Sequence, residues 1–283
     1  MTIKDSHISD MKQYPRVLTI AGSDSGGGAG IQADIKAISA TGSYAASAIT
    51  AVTVQNTLGV EGVHPVPVDV ISAQIRAVLS DIGADAIKIG MLHSAEVVRA
   101  VREALLSSVP SVRNIVLDPV MVSTSGHRLI EETAIEVLKA ELVPMARVIT
   151  PNVPEAEILA GVKIHSQEEL PGVARLLSCG GKVSVLMKAG HLSEERLVDV
   201  FYNAEEDRCI ELPSARVHTP NSHGTGCTLS SAFASYLAQG LSLDDAARAA
   251  KDYINSAIVS GARYSIGHGH GPVNHFFKYE NNQ

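Results

Sequence analysis

The sequence has no run of basic residues, no long apolar stretch and no pair of closely spaced cysteines. Its 283 residues carry 23 Lys and Arg against 30 Asp and Glu, and this acidic balance makes nucleic acid an improbable partner. No stretch reaches the roughly 18 apolar residues that a membrane span requires. The three cysteines, Cys179, Cys209 and Cys227, make neither a disulfide framework nor a zinc cluster. We therefore expect a cytoplasmic protein without membrane contact, and the polar residues 1–15, which lack a secretory apolar core, are expected to form an N-terminal extension.

Hydrophobic residues make up 45% of the chain, and their arrangement predicts an α/β fold. Short apolar runs alternate with longer amphipathic ones at spacings suited to parallel strands joined by helices. The predicted strands are Arg16–Ala21, Ala48–Val54, Ala86–Ile89, Asn114–Asp118, Arg147–Thr150 and Val183–Lys188. The predicted helices include Val68–Ser80, Ala95–Ser107, Glu131–Glu141, Gly226–Gln239 and Ser242–Gly261. Leu197–Asn203 and Cys209–Pro213 have hairpin spacing and predict one antiparallel edge. Without linkers or repeats, residues 16–283 are expected to form a single domain.

Two glycine-rich segments are candidate phosphate sites. The first, Ala21–Gly30, has neither the Walker pattern nor the spacing of a dinucleotide site, so it is either a phosphate cradle or a tight turn. The second, His223–Thr228, precedes a helix of small residues. A helix start offers unpaired N–H groups and a positive dipole end to a phosphoryl group. There the pKa of Cys227 is expected to fall, so that the thiol could act as a base. Alternatively, Cys227 is a small buried hydrophobe and the glycines only permit close packing.

Polar residues follow several predicted strands, where an open α/β sheet binds its ligands. They are Gln55, Asn56, Asp118, Asn152, Glu155, Lys188 and His191. Lys188 suits a triphosphate, and Glu155 could hold Mg²⁺ through water. Each residue also has a structural interpretation; Asn152, for example, could cap the helix that begins near Pro154. The histidines of the glycine-rich tail, His268, His270 and His275, lack the rigid spacing of a zinc site.

Taken together, these motifs resemble the hydroxymethylpyrimidine/phosphomethylpyrimidine kinases of thiamine biosynthesis, over nearly the whole stretch from Arg16 to Phe277. The segments that carry the resemblance are Val17–Asp24, Gly28–Asp34, Ile49–Val52, Gln55–Thr57, Lys88–Leu92, Leu117–Met121, Ile149–Asn152, His223–Cys227 and Gly271–Phe276. The resemblance implies a ribokinase-like three-layer α/β/α fold with a mostly parallel sheet. It implies a phosphotransferase that uses ATP and Mg²⁺ to phosphorylate the pyrimidine alcohol and then its monophosphate. We also expect a homodimer.

The resemblance assigns roles to individual residues. The pyrimidine-pocket positions are Gly22, Asp34, Gln55, Met91 and Val120. The ATP-binding positions are Asp118, Asn152, Lys188 and Thr225, and the catalytic anion-hole positions are Gly224, Thr225, Gly226 and Cys227. Glu155, with Asn152, matches the family's magnesium motif. Two positions depart from the pattern. His268 stands where many relatives have lysine, and Thr53 stands where some have valine, so that its hydroxyl either finds a backbone partner or alters the pocket.

Other functions remain to be weighed against this one. Pyridoxine or pyridoxal kinases are similar to this family throughout, although Gln55 and Met91 argue against that activity. A nucleotide-binding regulator without chemistry should lack Cys227, Lys188 or Glu155, and all three are present. A nicotinamide dehydrogenase is disfavoured because no dinucleotide fingerprint follows the first strand.

Overall fold

A computed structural model describes residues 12–108, 111–122 and 129–280. The first eleven residues of the predicted N-terminal extension lie outside the described residues. The described residues form one continuous sheet of nine strands in the order β3-β2-β1-β4-β5-β6-β7-β8-β9. Its strands are β1 (Arg16–Asp24), β2 (Tyr44–Asn56), β3 (Gly59–Pro65), β4 (Ala86–Ile89), β5 (Ile115–Leu117), β6 (Val148–Ile149), β7 (Ser184–Met187), β8 (Arg196–Asn203) and β9 (Arg208–Ala215).

The pairing within the sheet is mostly parallel, with antiparallel strands at both edges. β2, β1, β4, β5, β6 and β7 run parallel, while the β8–β9 hairpin adds the predicted antiparallel edge. That predicted edge is confirmed, and a second one, in which β3 pairs antiparallel with β2, was not predicted. Two glycines and a proline in β3 conceal the strand in the sequence, since both residue types are depleted in strands. The thirteen-residue β2 supplies the pairing partner.

Eight α-helices cover the two faces of the sheet in the described part of the chain. They are α1 (Gly30–Ala40), α2 (Val68–Asp81), α3 (Ala95–Leu106), α4 (Glu132–Val137), α5 (Val153–Ala160), α6 (Leu170–Leu177), α7 (Thr225–Ala238) and α8 (Leu243–Gly261). The helix predicted over Glu131–Glu141 is shorter than expected, because a π-helical turn, Leu138–Leu142, follows α4. The sequence reasoning did not identify α6. No described helix is long and apolar enough to cross a membrane.

Alternating strand residues divide the core into two layers. Leu18 and Ile20 of β1 pack on the side of α2 to α6, whereas Val17 packs on the side of α1, α7 and α8. β4 alternates in the same way, with Ile87 facing the first layer and Ala86 the second. Because successive side chains of a strand point to opposite faces, these buried strands require a helix layer on both sides. The predicted three-layer α/β/α arrangement is therefore confirmed.

Candidate active site

A cavity of about 740 Å³ opens at the carboxyl ends of the parallel strands. Most of the residues predicted to form the site line it, and they come from seven separate segments of the chain. These residues are Gly22, Gln55, Met91, Asp118, Val120, Asn152, Glu155, Lys188, Gly224, Thr225, Gly226 and Cys227. The fold therefore brings the predicted pyrimidine-binding, ATP-binding and catalytic residues into one cavity. Among the residues to which the resemblance assigned a role, Asp34 alone does not line it; Asn56, which follows β2, does not line it either.

The second glycine segment positions the start of α7 in this cavity. Gly224 caps the helix with a φ of 77°, in the left-handed region that favours glycine. A Cβ on Gly224 would clash with the carbonyl oxygen of Gly28. The two glycine segments therefore pack backbone against backbone. This contact directs the first turn of α7, whose N–H groups lack partners within the helix, toward the cavity.

The first glycine segment is a tight turn that uses its own amide groups. The Asp24 carboxylate accepts hydrogen bonds from the backbone N–H groups of Gly26, Gly28 and Ala29 at 2.8–2.9 Å. Because these donors are occupied within the turn, the segment has no cradle of free N–H groups around Asp24. Of the two interpretations left open by the sequence, the structure favours the tight turn.

A hydrogen-bonded group connects this turn to the predicted pyrimidine pocket. His223 Nε2 lies 2.9 Å from Asp24 Oδ2 and 3.2 Å from Gln55 Nε2. Thr53 donates to the Ser23 carbonyl at 2.9 Å and contacts Gln55 Oε1 at 3.1 Å. The Thr53 hydroxyl has thus found a backbone partner, which was one of its two predicted outcomes. The sequence reasoning gave His223 no role, although its place directly before Gly224 was a signal.

Three charged side chains meet on the other side of the cavity. Lys188 Nζ lies 3.0 Å from Asp118 Oδ1 and 3.9 Å from Glu155 Oε2. Burial opposes ionisation of Asp118, but the nearby ammonium groups of Lys188 and Lys88 outweigh burial and lower its pKa. For Glu155, burial dominates and raises the pKa to about 7, with Asp118 adding to the rise and Lys188 opposing it. This side of the cavity therefore combines one cation with two carboxylates.

Asn152 and Glu155 also form the N-terminal cap of α5. The Asn152 side chain accepts a hydrogen bond from Glu155 N, and Glu155 Oε2 accepts one from Asn152 N, both at 2.9 Å. This reciprocal pair is a capping box, so the structural interpretation of Asn152 is correct. Both residues nevertheless line the cavity, because the cap lies at the carboxyl end of β6. The predicted contacts of Asn152 with ATP and of Glu155 with magnesium stay predictions.

The expected lowering of the Cys227 pKa is wrong. Burial raises the pKa of this half-buried thiol to about 11, and the carboxylates of Asp34 and Asp118 add to the rise. The Lys88 ammonium and the Gly30 N–H favour the thiolate, but they do not compensate. Loss of solvation thus outweighs the favourable field of the helix N-terminus.

Asp34 is part of the protein interior rather than of the cavity wall. Its carboxylate accepts hydrogen bonds from Lys88 Nζ at 2.9 and 3.0 Å, and both side chains are 0% exposed. Its position therefore does not favour the direct contact with the pyrimidine that the resemblance implied. It lies behind the site because α1 turns its inner face toward α7 and the sheet.

The histidine-rich tail packs as a structural segment. His275 is buried and pairs with the Thr228 hydroxyl at 2.9 Å, while the His268 and His270 N–H groups donate to Thr57. Within the described residues, no three His, Cys, Asp or Glu side chains are grouped as ligands for a metal ion. His268 makes its Thr57 contact through the backbone.

Comparisons with known proteins agree with this architecture. The family model "Phosphomethylpyrimidine kinase" matches residues 24–274. A hydroxymethylpyrimidine/phosphomethylpyrimidine kinase of Rhizobium meliloti is 46% identical over 263 residues, covering 93% of this chain and 97% of the relative.

Two solved structures are similar to this fold. A phosphomethylpyrimidine kinase from Clostridium difficile is 44% identical with a TM-score of 0.74, covering 86% of this chain and 99% of its own. An ADP complex of Bacillus subtilis pyridoxal kinase has a TM-score of 0.86 at 33% identity, covering 95% of this chain and 100% of its own. Backbone similarity alone therefore does not separate the two substrates, whereas sequence identity favours the pyrimidine kinase. The ribokinase-like fold and the family predicted from the sequence are both confirmed, and the chain belongs to the phosphomethylpyrimidine kinase family.

Proposed function

We propose that this protein uses ATP to phosphorylate 4-amino-5-hydroxymethyl-2-methylpyrimidine and then its monophosphate, in thiamine biosynthesis or salvage. One observation carries the proposal: a single cavity holds the Gln55 amide on one side, Lys188 on the other and the start of α7. This arrangement suits an aminopyrimidine, a triphosphate and a transferring phosphoryl group in one cavity. Family membership and the identity to curated pyrimidine kinases support the same activity.

Gln55 is proposed to recognise the pyrimidine ring. Its amide offers an acceptor oxygen beside donor hydrogens, which complement an exocyclic amine and the adjacent ring nitrogen. Gly22, Met91 and Val120 line the same cavity. A Cβ on Gly22 would lie 2.5 Å from the Met91 methyl carbon, so the glycine makes room for the methionine. These neighbours would hold the ring by apolar contact while Gln55 sets its orientation.

The start of α7 is proposed to stabilise the transferring phosphoryl group. The pyrimidine hydroxyl oxygen bonds to the γ-phosphorus as the bond from that phosphorus to the bridging oxygen breaks, and ADP leaves. The hydroxyl proton passes to a water molecule or to the thiolate form of Cys227, the minor form of a thiol whose pKa is about 11. Backbone N–H groups of Gly226 and Cys227 would face the developing charge, beside that of Thr225, which makes a long hydrogen bond of 3.4 Å to the Ser222 carbonyl. Lys188, 3.1 Å from where a Gly226 Cβ would lie, adds a positive charge at the same place.

Glu155 is proposed to hold Mg²⁺ through water, with ATP supplying further oxygen ligands. Carboxylate oxygens are ligands that Mg²⁺ prefers, and Glu155 and Asp118 both line the cavity. When bound, the ion would neutralise the phosphate oxygens of ATP. Asn152 fixes Glu155 through the capping box, and Asp118 holds Lys188 in place.

The alternative activity is phosphorylation of pyridoxine or pyridoxal. The similarity to the Bacillus subtilis pyridoxal kinase supports it. Incubation of the protein with ATP, Mg²⁺ and either alcohol, followed by mass analysis, separates the two. We expect pyrimidine monophosphate to form first and diphosphate second. Turnover of pyridoxine without turnover of the pyrimidine would refute the proposed substrate.

We further propose that the enzyme is a cytoplasmic homodimer. Val52 and Val54 alternate along β2, on the face opposite Thr53, and are 46% and 58% exposed. A second copy of the chain could cover this apolar face. Cys179, Cys209 and Cys227, all within the described residues, are unpaired, as expected in a reducing compartment. Sedimentation of the wild type and of Val54→Asp tests the dimer, which should dissociate in the variant.

A further inference from the structure

α1 and α7 lie side by side behind the cavity and are joined by polar contacts at successive turns. Cys227, Ser231 and Ser235 are spaced four residues apart in α7, so they lie on one helix face. The Gly30 N–H acts on the Cys227 thiol as a donor, and Ser231 donates to Asp34 Oδ1 at 2.7 Å. At the far end, Thr41 donates to Ser235 Oγ at 2.7 Å. The first contact is in the proposed active site, and the second is one turn behind it.

The second contact belongs to a fully buried ionic cluster. Both Asp34 oxygens accept from Lys88, while Thr19 donates to Oδ2 at 2.6 Å and Ser231 to Oδ1. All four side chains are 0% exposed. Burying such a pair costs solvation free energy, and apolar residues of similar volume often serve stability as well or better. Stability alone therefore gives no reason for an ion pair at this place.

The position of Lys88 connects this cluster to the pocket. Lys88 lies in β4, and its Nζ would be 2.7 Å from a Cβ on Gly90, immediately before Met91 of the pocket. The charged groups that face the Cys227 thiol are Lys88 from β4, Asp34 from α1, Asp118 after β5 and Lys188 after β7. Of the Asp34–Lys88 pair, the cation has the larger effect on this thiol and favours its ionised form. The Lys88 ammonium thus lies beside the backbone that leads into the pocket at Met91, and its charge favours the thiolate of Cys227.

We propose that the Asp34–Lys88 pair is a positioning cluster, which fixes the first turn of α7 through Ser231 and presents positive charge to Cys227 and the transferring phosphoryl group. The inference rests on the proposed role of Cys227 in the kinase reaction. It assigns Asp34 and Lys88 an indirect role, because neither lines the cavity. Asp34 orients Lys88 and Ser231, and Lys88 supplies the field.

The positioning role is tested with Ser231→Ala, which removes the contact to Asp34 without changing any charge. We expect kcat to fall about tenfold, because a shift of the α7 start weakens only transition-state contacts. KM for the pyrimidine should stay unchanged. Ser235→Ala is the matched control: it makes the same chemical change one turn further along α7, where Asp34 is not contacted, and should alter kcat less than about twofold. Equal kcat values in both variants would overturn the positioning role.

The electrostatic role is tested by alkylation of Cys227. Alkylation requires no turnover, so the outcome of this test does not depend on whether the proposed function is correct. In a Cys179→Ser, Cys209→Ser background, the rate of iodoacetamide labelling is followed by mass across pH. The neutral double variant Asp34→Asn, Lys88→Met removes the ion pair while keeping similar volume. We expect its labelling midpoint to move to higher pH, with labelling about threefold slower at a fixed pH below the midpoint. An unchanged or lower midpoint would overturn the electrostatic role, since loosened packing alone exposes the thiol and speeds labelling.

Discussion

Gly224→Ala should remove most of the catalytic turnover while leaving the protein folded. Real Cβ atoms come no closer than about 3.0 Å to another atom. The new Cβ would lie more than 1 Å closer than that limit to the Gly28 carbonyl oxygen. Backbone on both sides means that neither partner can rotate away. The φ of 77° adds a strain of about 1–2 kcal/mol for any residue with a Cβ.

The expected magnitude follows from the displacement. The start of α7 must move by about 1 Å relative to Gly28, and a misplacement of that size costs on the order of 10²-fold in rate. Loss of one aligned N–H donor to a transition state costs about 10²- to 10³-fold. We therefore expect kcat for the pyrimidine to fall about 10²- to 10³-fold, with a melting temperature lower by only a few degrees, roughly 2–4 °C per kcal/mol.

Gly190→Ala is the matched control for this variant. Gly190 lines the same cavity, but a Cβ there meets no atom within 4 Å. Its kcat should stay close to that of the wild type. Formation of mono- and diphosphate is followed by mass, and the melting temperature by calorimetry. A normal kcat in Gly224→Ala, or equal losses in both glycine variants, would refute the argument that close backbone packing sets the anion-binding geometry.

Three further predictions concern single side chains. Gln55→Met should lower kcat/KM for the pyrimidine about tenfold to a hundredfold and so reduce its ratio to kcat/KM for pyridoxine. An unchanged ratio would contradict recognition of the ring by the amide. Cys227→Ala should lower kcat about 10²-fold with little change in pyrimidine affinity, and because the wild-type thiol has a pKa of about 11, its kcat should rise with pH above neutrality whereas that of the variant stays flat. Burial, with Lys36, lowers the His275 pKa to about 4. The unfolded chain therefore binds this proton first, and as pH falls from about 6.5 to 4 unfolding should become easier by up to about 3 kcal/mol. The free energy of unfolding of His275→Gln should lack this dependence on pH. Denaturant titrations at several pH values measure it, and an equal change with pH in both proteins would contradict the prediction.

Local patterns were enough to predict eight of the nine described strands and to place the candidate site at the carboxyl ends of the parallel ones. Ala86–Ile89 is apolar except for Lys88, and its predicted bounds coincide with β4. The four-residue segment from Asn152 to Glu155 contains a capping box that depends only on neighbouring residues. The glycines around Thr225 signalled a helix N-terminus, and the polar residues after successive strands converge because parallel strands end at one edge. Each of these features is determined within a few residues of chain.

Tertiary structure decided the features that depend on distant partners. β3 exists because β2 offers a pairing edge, although its own glycines and proline disfavour a strand. Asp34 and Lys88 lie 54 residues apart in sequence, so their ion pair, and with it the removal of Asp34 from the cavity wall, could not be predicted from local spacing. The Cys227 pKa rises for the same reason: solvation and the charges of Lys88, Asp34 and Asp118 act through space. Helix positions depend on the local sequence, whereas the burial and the electrostatic environment of each side chain arise only when distant segments of the chain pack together.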